Sequence, residues 1–193
     1  MNNDNSKNIT LDVYWVTAWI LKRFYLYKDN LPKPDSEDGF VGLDAIDLKY
    51  KNSIYKKFLE VNALDLEDRL LLAMALLPHV QPYRLSVFYG ALLNHDKKVL
   101  PDIGLIKGQN FQGYLPTGLT YTFTYAGRSD KRRHHIINYL HTKSRLITNG
   151  VVSIAPHYLG EPVLSGVLAL DHEYWKLLTE NTLEPSLDLL TLK

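Results

Sequence analysis

Three histidines and three permanent cations crowd into one short stretch, SDKRRHHIINYLH, the densest chemistry in the chain. Read as a helix, it sets His134 and His141 two turns apart on one face. A zinc-binding helix pairs its ligands at i and i+4 and completes the shell from elsewhere. Position 138, where that partner would stand, is Asn, and the chain has no cysteine. A solvated basic face is the better reading, and no metal is expected. Lys131, Arg132 and Arg133 would fall in the first turn, where each cation opposes the helix macrodipole by about 0.3–1 kcal/mol. Backbone N–H groups at that end favour an anion. These three residues, with Lys143 and Arg145 just beyond the helix, are therefore candidate contacts for phosphates or an acidic partner. Basic residues that simply face water are the plainer alternative.

Other chemistry is missing from the sequence. No stretch matches GxxxxGK[ST]; the glycines of GLIKGQ and AGRSDK lack the lysine–hydroxyl pair that holds phosphates and magnesium. There is no GxSxG elbow and no carboxylate pair whose setting the sequence marks for acid–base work. Without cysteines there are no disulfides, thiolate nucleophiles or Cys-type zinc sites, and a reducing, cytoplasmic setting fits. No catalytic residue and no cofactor are expected. A net charge of +1 gives no global field toward nucleic acid or membrane, so any such contact would need a local patch.

The elements that must position this helix follow from pattern. With 193 residues, 46% apolar and 22% charged, the chain can bury a real core. MNNDNSKNIT reads as a frayed start. A first helix, about Thr10 to Tyr27, is apolar nearly all round. Its charge-free run, Val13 to Leu21, is far short of the roughly 20 residues a membrane span needs. DNLPKPDSEDGFVG reads as a solvated loop, since two prolines block helix and Asp35, Glu37 and Asp38 favour water. Three helices are expected across IYKKFLEVNALDLEDRLLLAMALLPHVQPYRLSVFYGALLN. In the second, Asp65 is the N-cap, Leu70–Leu77 is the central core and Pro78 is the end. Pro82 opens the third, whose one-face residues are Leu85, Phe88, Tyr89 and Leu92. Trp15, Trp19, Leu71, Met74, Leu77, Phe88 and Leu92 are expected to be buried.

Later in the chain, LTYTFTYAG alternates like a strand, although Pro116-Thr117 could open a helix. Ser129 caps the basic helix. Asn149-Gly150 lies between β-branched runs and predicts a hairpin tip. Val163–Leu170 reads as a further strand turning at Ser165-Gly166, and Asp171 caps a last helix through Leu178. EPSLDLLTLK is still apolar, which predicts that it docks or that the chain is cut from a longer protein. The fold class is thus mainly α with a small β-hairpin sheet, a helical bundle leading into a winged-helix-like unit. Residues 1–52 form a helix and acidic loop packed on the core, 53–182 the helical and winged-helix-like domain, and 183–193 a tail or linker.

Three pieces, LEDRLLLAMALLPHVQP, GYLPTG with a following YAG, and GEPVLSGVLALDHEYWKLLT, resemble the N-terminal winged-helix-type domain of bacterial AAA-family ATPases. These ATPases accompany contractile injection systems and type VI secretion clusters. The resemblance covers roughly Leu59 to Thr179 and its motifs are structural, not catalytic. It implies that Leu164, Leu168 and Leu170 are buried positions of a wing strand, that Gly166 is its turn, and that Tyr174 and Leu177 belong to the closing helix. It also tips LTYTFTYAG toward helix. The ATPase module and its Walker motifs are absent. The implied function is a non-catalytic regulatory or protein-interaction domain that positions an ATPase module, in cis or in trans, or recruits a partner from the secretion or injection apparatus. A winged-helix nucleic-acid binder is the alternative: its basic helix would enter a major groove while Lys143 and Arg145, beside the wing, meet phosphates.

Overall fold

An unbroken run of eight apolar side chains, Leu70 to Leu77, is satisfied only by protein on every side, and in the computed structural model each is fully buried. Residues 4–29, 42–86, 88, 103–155, 159–179 and 190–192 are described. The run lies in α3 (Leu66–Val80), whose N-cap Asp65 accepts from the Asp68 N–H at 2.8 Å. Pro78 does not end this helix. Its ring removes one bond to the preceding turn, but the Gln81 N–H closes onto the Leu77 carbonyl at 2.9 Å and carries the helix to Val80. From Pro82 the chain runs as a 3-10 turn over Pro82–Ser86, Phe88 is helical, and the remainder of the expected helix lies outside the described residues. Trp15, Trp19, Leu71, Met74, Leu77 and Phe88 are buried as expected. Tyr89, Leu92 and the acidic loop residues Asp35, Glu37 and Asp38 lie outside the described residues.

Helix α1 (Asp4–Asp29) begins well before Thr10, because two asparagines tie its first turns to the chain ahead of the next helix. Asn5 Oδ1 accepts from Ser53 Oγ and from the Tyr55 N–H, and Asn8 exchanges two bonds with the Tyr50 backbone. The start that reads as frayed is thus pinned by buried amides. α1 packs on α3 and on α2 (Ile54–Val61). No helix among the described residues is long and apolar enough to cross a membrane.

The second half supplies two small sheets. Strands β1 (Ile106–Lys107) and β2 (Tyr114–Leu115) pair antiparallel. Next comes LTYTFTYAG, which is helix α4 (Gly118–Ala126) in spite of its alternation. Thr117 caps it by a reciprocal box with Thr120. The Thr122 and Thr124 hydroxyls bond the carbonyls one turn back at 2.8 and 2.7 Å, so these threonines can be buried without unpaired groups. Arg23, 1% exposed, reaches over from α1 to the Thr124 and Tyr125 carbonyls at the end of α4. Helix α5 (Asp130–Thr142) follows behind its Ser129 cap, and then the single turn α6 (Arg145–Thr148).

Asn149-Gly150 is not a hairpin tip. Gly150 has φ +69° and ends α6, with its N–H on Ile147 and the Val151 N–H on Leu146. A left-handed glycine serves a helix end as well as it serves a two-residue hairpin, and here the helix end wins. The hairpin forms instead between β3 (Val152–Ile154) and β4 (Leu168–Leu170), in antiparallel register with Val152 opposite Leu170. Thr117 bridges Val167, and the Leu168 N–H bonds the Pro116 carbonyl at 2.9 Å, so β4 lies between β3 and the entry to α4. Leu164 and Leu168 are buried, while Leu170, Tyr174 and Leu177 are half-buried. The expected strand from Val163 starts only at Leu168, after a 3-10 turn over Val163–Ser165. Gly166 faces the hairpin so closely that a Cβ would stand 2.0 Å from the Ala155 carbonyl oxygen. Helix α7 (His172–Thr179) closes the fold, with Asp171 Oδ1 accepting from the Glu173 and Tyr174 N–H groups. The chain is mainly helical with a small hairpin sheet, and this order of helices and strands is compatible with a winged helix.

Candidate functional site

The carboxylates at the start of α3 are the first place to look for chemistry, and the structure uses them as fasteners. Tyr139 donates to Asp65 Oδ1 at 2.6 Å, Tyr125 to Glu67 Oε1 at 2.9 Å, and Ser144 to Asp68 Oδ1 at 2.6 Å. The Arg145 N–H adds a bond to Asp68 Oδ2 at 3.2 Å. Burial, then the bond to Glu67, pushes the Tyr125 hydroxyl up to about 12. Burial, then the bond to Asp65, drives Tyr139 up further. Burial also raises the Asp68 carboxyl above its ordinary value, against the opposing effects of Ser144 and the Arg145 amide. One turn of α3 thereby locks α4, α5 and α6 in place. This role was missed in sequence, where Asp65 read only as a cap.

A second buried cluster joins α1 to α3. Asp12 takes Arg69 Nε at 2.9 Å, Arg69 Nη2 at 2.6 Å and the Tyr55 hydroxyl at 2.7 Å. Arg69 borders a groove of about 370 Å³ that Asp47, Lys56 and Glu60 also line. Its guanidinium is already paired with Asp12, and Lys56 Nζ already bonds the Leu48 carbonyl at 2.7 Å. Among the described residues no three His, Asp or Glu side chains converge on a metal position.

What remains is the outward face of α5. Ile136, Tyr139 and Leu140 face the core, leaving Lys131, His134, His135, Asn138, His141 and Thr142 exposed. Lys143 continues the stripe, about 18 Å from Lys131 at 1.5 Å per residue. Past Asp130 the helix itself carries no carboxylate. His134 Nδ1 lies 2.8 Å from the Asp130 carbonyl, which can only accept, so Nδ1 carries a proton and leaves Nε2 for other partners. His135 stacks on the Tyr125 ring at 6.1 Å, with Nε2 3.9 Å from Glu67.

No known family, curated protein or solved structure matches this chain.

The five cations singled out in sequence divide into two groups. Lys131 and Lys143 are exposed at opposite ends of α5. The arginines are half-buried: Arg133 donates to the Gly127 carbonyl at 3.1 Å, Arg145 reaches the Asn62 carbonyl, and Arg132 lies close enough to Tyr125 to act on its hydroxyl. Lys143 and Arg145 do not flank a hairpin tip, because the hairpin is elsewhere. The connection between β3 and β4, residues 155–167, contains no Lys or Arg and one Glu. Leu159 is fully exposed there and Val163 more than half exposed. The cationic stripe and the apolar wing are therefore different surfaces.

Proposed function

We propose that this chain is a non-catalytic interaction domain of an AAA-type ATPase, and that the α5 face is where it meets an acidic protein surface. The wing carries this reading. A winged helix that grips nucleic acid needs cations along the phosphate backbone, whereas residues 155–167 offer none and expose Leu159 and Val163. Exposed apolar side chains of this kind suit a protein interface. The arginine heads are a further support: those of Arg133 and Arg145 are taken by carbonyls of the same chain and Arg132 is half-buried, which leaves Lys131 and Lys143 as exposed point charges. The resemblance to ATPase N-terminal domains supplies the partner, and the cysteine-free sequence fits a cytoplasmic setting.

The nucleic-acid reading draws on one observation, the placing of β4 between β3 and the entry to α4 after the helices α4 to α6. A labelled duplex titrated with the chain separates the two. The protein reading predicts no affinity beyond the roughly 10⁻⁴–10⁻⁶ M of non-specific contacts at physiological salt. A nanomolar, sequence-selective complex, with a log–log salt slope near −0.9 per phosphate, would replace it with the nucleic-acid reading. Calorimetry with Mg-ATP should show no binding to this chain.

A further inference from the structure

Asn62, at the end of α2, is fully buried, yet much of its side chain serves a segment 128 residues further along. Nδ2 donates to the Leu190 carbonyl at 2.7 Å, and Oδ1 accepts from the Leu192 N–H at 2.7 Å. Both bonds go to backbone, so they recognise a peptide whatever its side chains. Selectivity comes from the flanking residues: Leu190 and Leu192 are 3% and 5% exposed, while Thr191 between them is exposed. The receptor side is held independently of this segment. Nδ2 also bonds the Phe58 carbonyl at 2.8 Å, and Arg145 fastens the Asn62 carbonyl from α6. The cleft therefore keeps its polar framework when the segment leaves, and among the described residues the segment meets Asn62 through two backbone hydrogen bonds and buries two leucines.

We infer that the cleft beside Asn62 is a peptide-binding site for Leu-X-Leu segments, and that Leu190–Leu192 fills it as a tethered, exchangeable ligand. A protein bearing the same short pattern would compete with the chain's own copy. Because the tethered copy acts at millimolar effective concentration, only a partner that is itself concentrated or tethered, as within an assembly, displaces it. The inference does not depend on the α5 face.

The test uses the full chain carrying Leu190→Asp and Leu192→Asp, and a fluorescent peptide of sequence LEPSLDLLTLK, residues 183–193. By anisotropy, the peptide should bind this variant with micromolar Kd and the unaltered chain at least about tenfold more weakly, through competition by the tether. N-methylation of the peptide at the Leu192 nitrogen removes the donor to Asn62 without touching the protein, and should weaken binding about tenfold. The inference is overturned if the folded variant does not bind, if the unaltered chain binds equally well, or if N-methylation has no effect. It also fails if the variant loses its cooperative thermal transition, since the segment is then core and not ligand.

Discussion

Replacing Arg69 by Met should leave Asp12 as a buried carboxylate with a single neutral donor. Their side chains are 16% and 1% exposed, and the pair is bidentate, with the Tyr55 hydroxyl as the third donor to Asp12. Met fills much of the volume but removes both charged donors. Breaking a buried pair from one side costs about 3–5 kcal/mol, mostly as the penalty of an uncompensated charge. Against a total stability of about 5–15 kcal/mol, that is a large fraction. With a urea m-value of about 2 kcal/mol/M, a loss of about 4 kcal/mol lowers the unfolding midpoint by about 2 M. The decisive control is Asp12→Asn in the Arg69→Met background. Asn still accepts from Tyr55 but carries no charge, so the double variant should recover at least about 2 kcal/mol relative to Arg69→Met alone. If the double variant is no more stable than the single one, or Arg69→Met shifts the midpoint by less than about 0.5 M, the pairing does not hold α1 to α3 as described.

Two further outcomes follow from the later half of the chain. Gly166→Ala must push the Ala155 carbonyl away, since the new Cβ starts 2.0 Å from its oxygen; overpacking of this kind costs about 1–3 kcal/mol. Hydrogen exchange should show the Ala155 N–H, bonded to the Val167 carbonyl at 2.7 Å, losing protection first, and unchanged protection would contradict the close approach of the wing. Asp68 supplies a pH signature: burial raises its folded-state value, so the native state takes up this proton at higher pH than the unfolded chain does. Its contribution to stability is complete below the unfolded value of about 3.9 and is lost as pH rises through the folded one. Urea midpoints of the unaltered chain should therefore gain on those of Asp68→Asn as pH is lowered from about 7 to about 4, and a constant difference would refute the burial of that charge.

The helical core was legible in sequence because Leu70–Leu77 admits one environment, and the caps at Asp65, Ser129 and Asp171 mark their helices by local chemistry alone. What misled was local chemistry with two uses. The alternating threonines of α4 pulled toward a strand, against the helix that the resemblance favoured and the structure has, because their hydroxyls bond carbonyls one turn back. Asn149-Gly150 satisfies a hairpin and a helix end equally, and only the pairing of β3 with β4, across a long connection, decides. Pro78 breaks one bond in a helix that burial holds together. The basic helix was found, but which of the five candidate cations face outward was not. That depends on Gly127 and Asn62 accepting from Arg133 and Arg145, contacts that no spacing rule contains.

The central claim is the proposal that α5 presents its cations to an acidic protein surface of an AAA-type ATPase. The most direct measurement mixes the chain with an AAA module of the kind that the proposed function names, and follows the complex by sedimentation velocity at about 0.05 M and about 0.5 M salt. A complex is predicted at low salt, weakened at high salt, and absent for Lys131→Glu/Lys143→Glu, whose exposed positions leave the fold and its melting unchanged. No complex at either salt, or one that the double reversal leaves intact, would contradict the account.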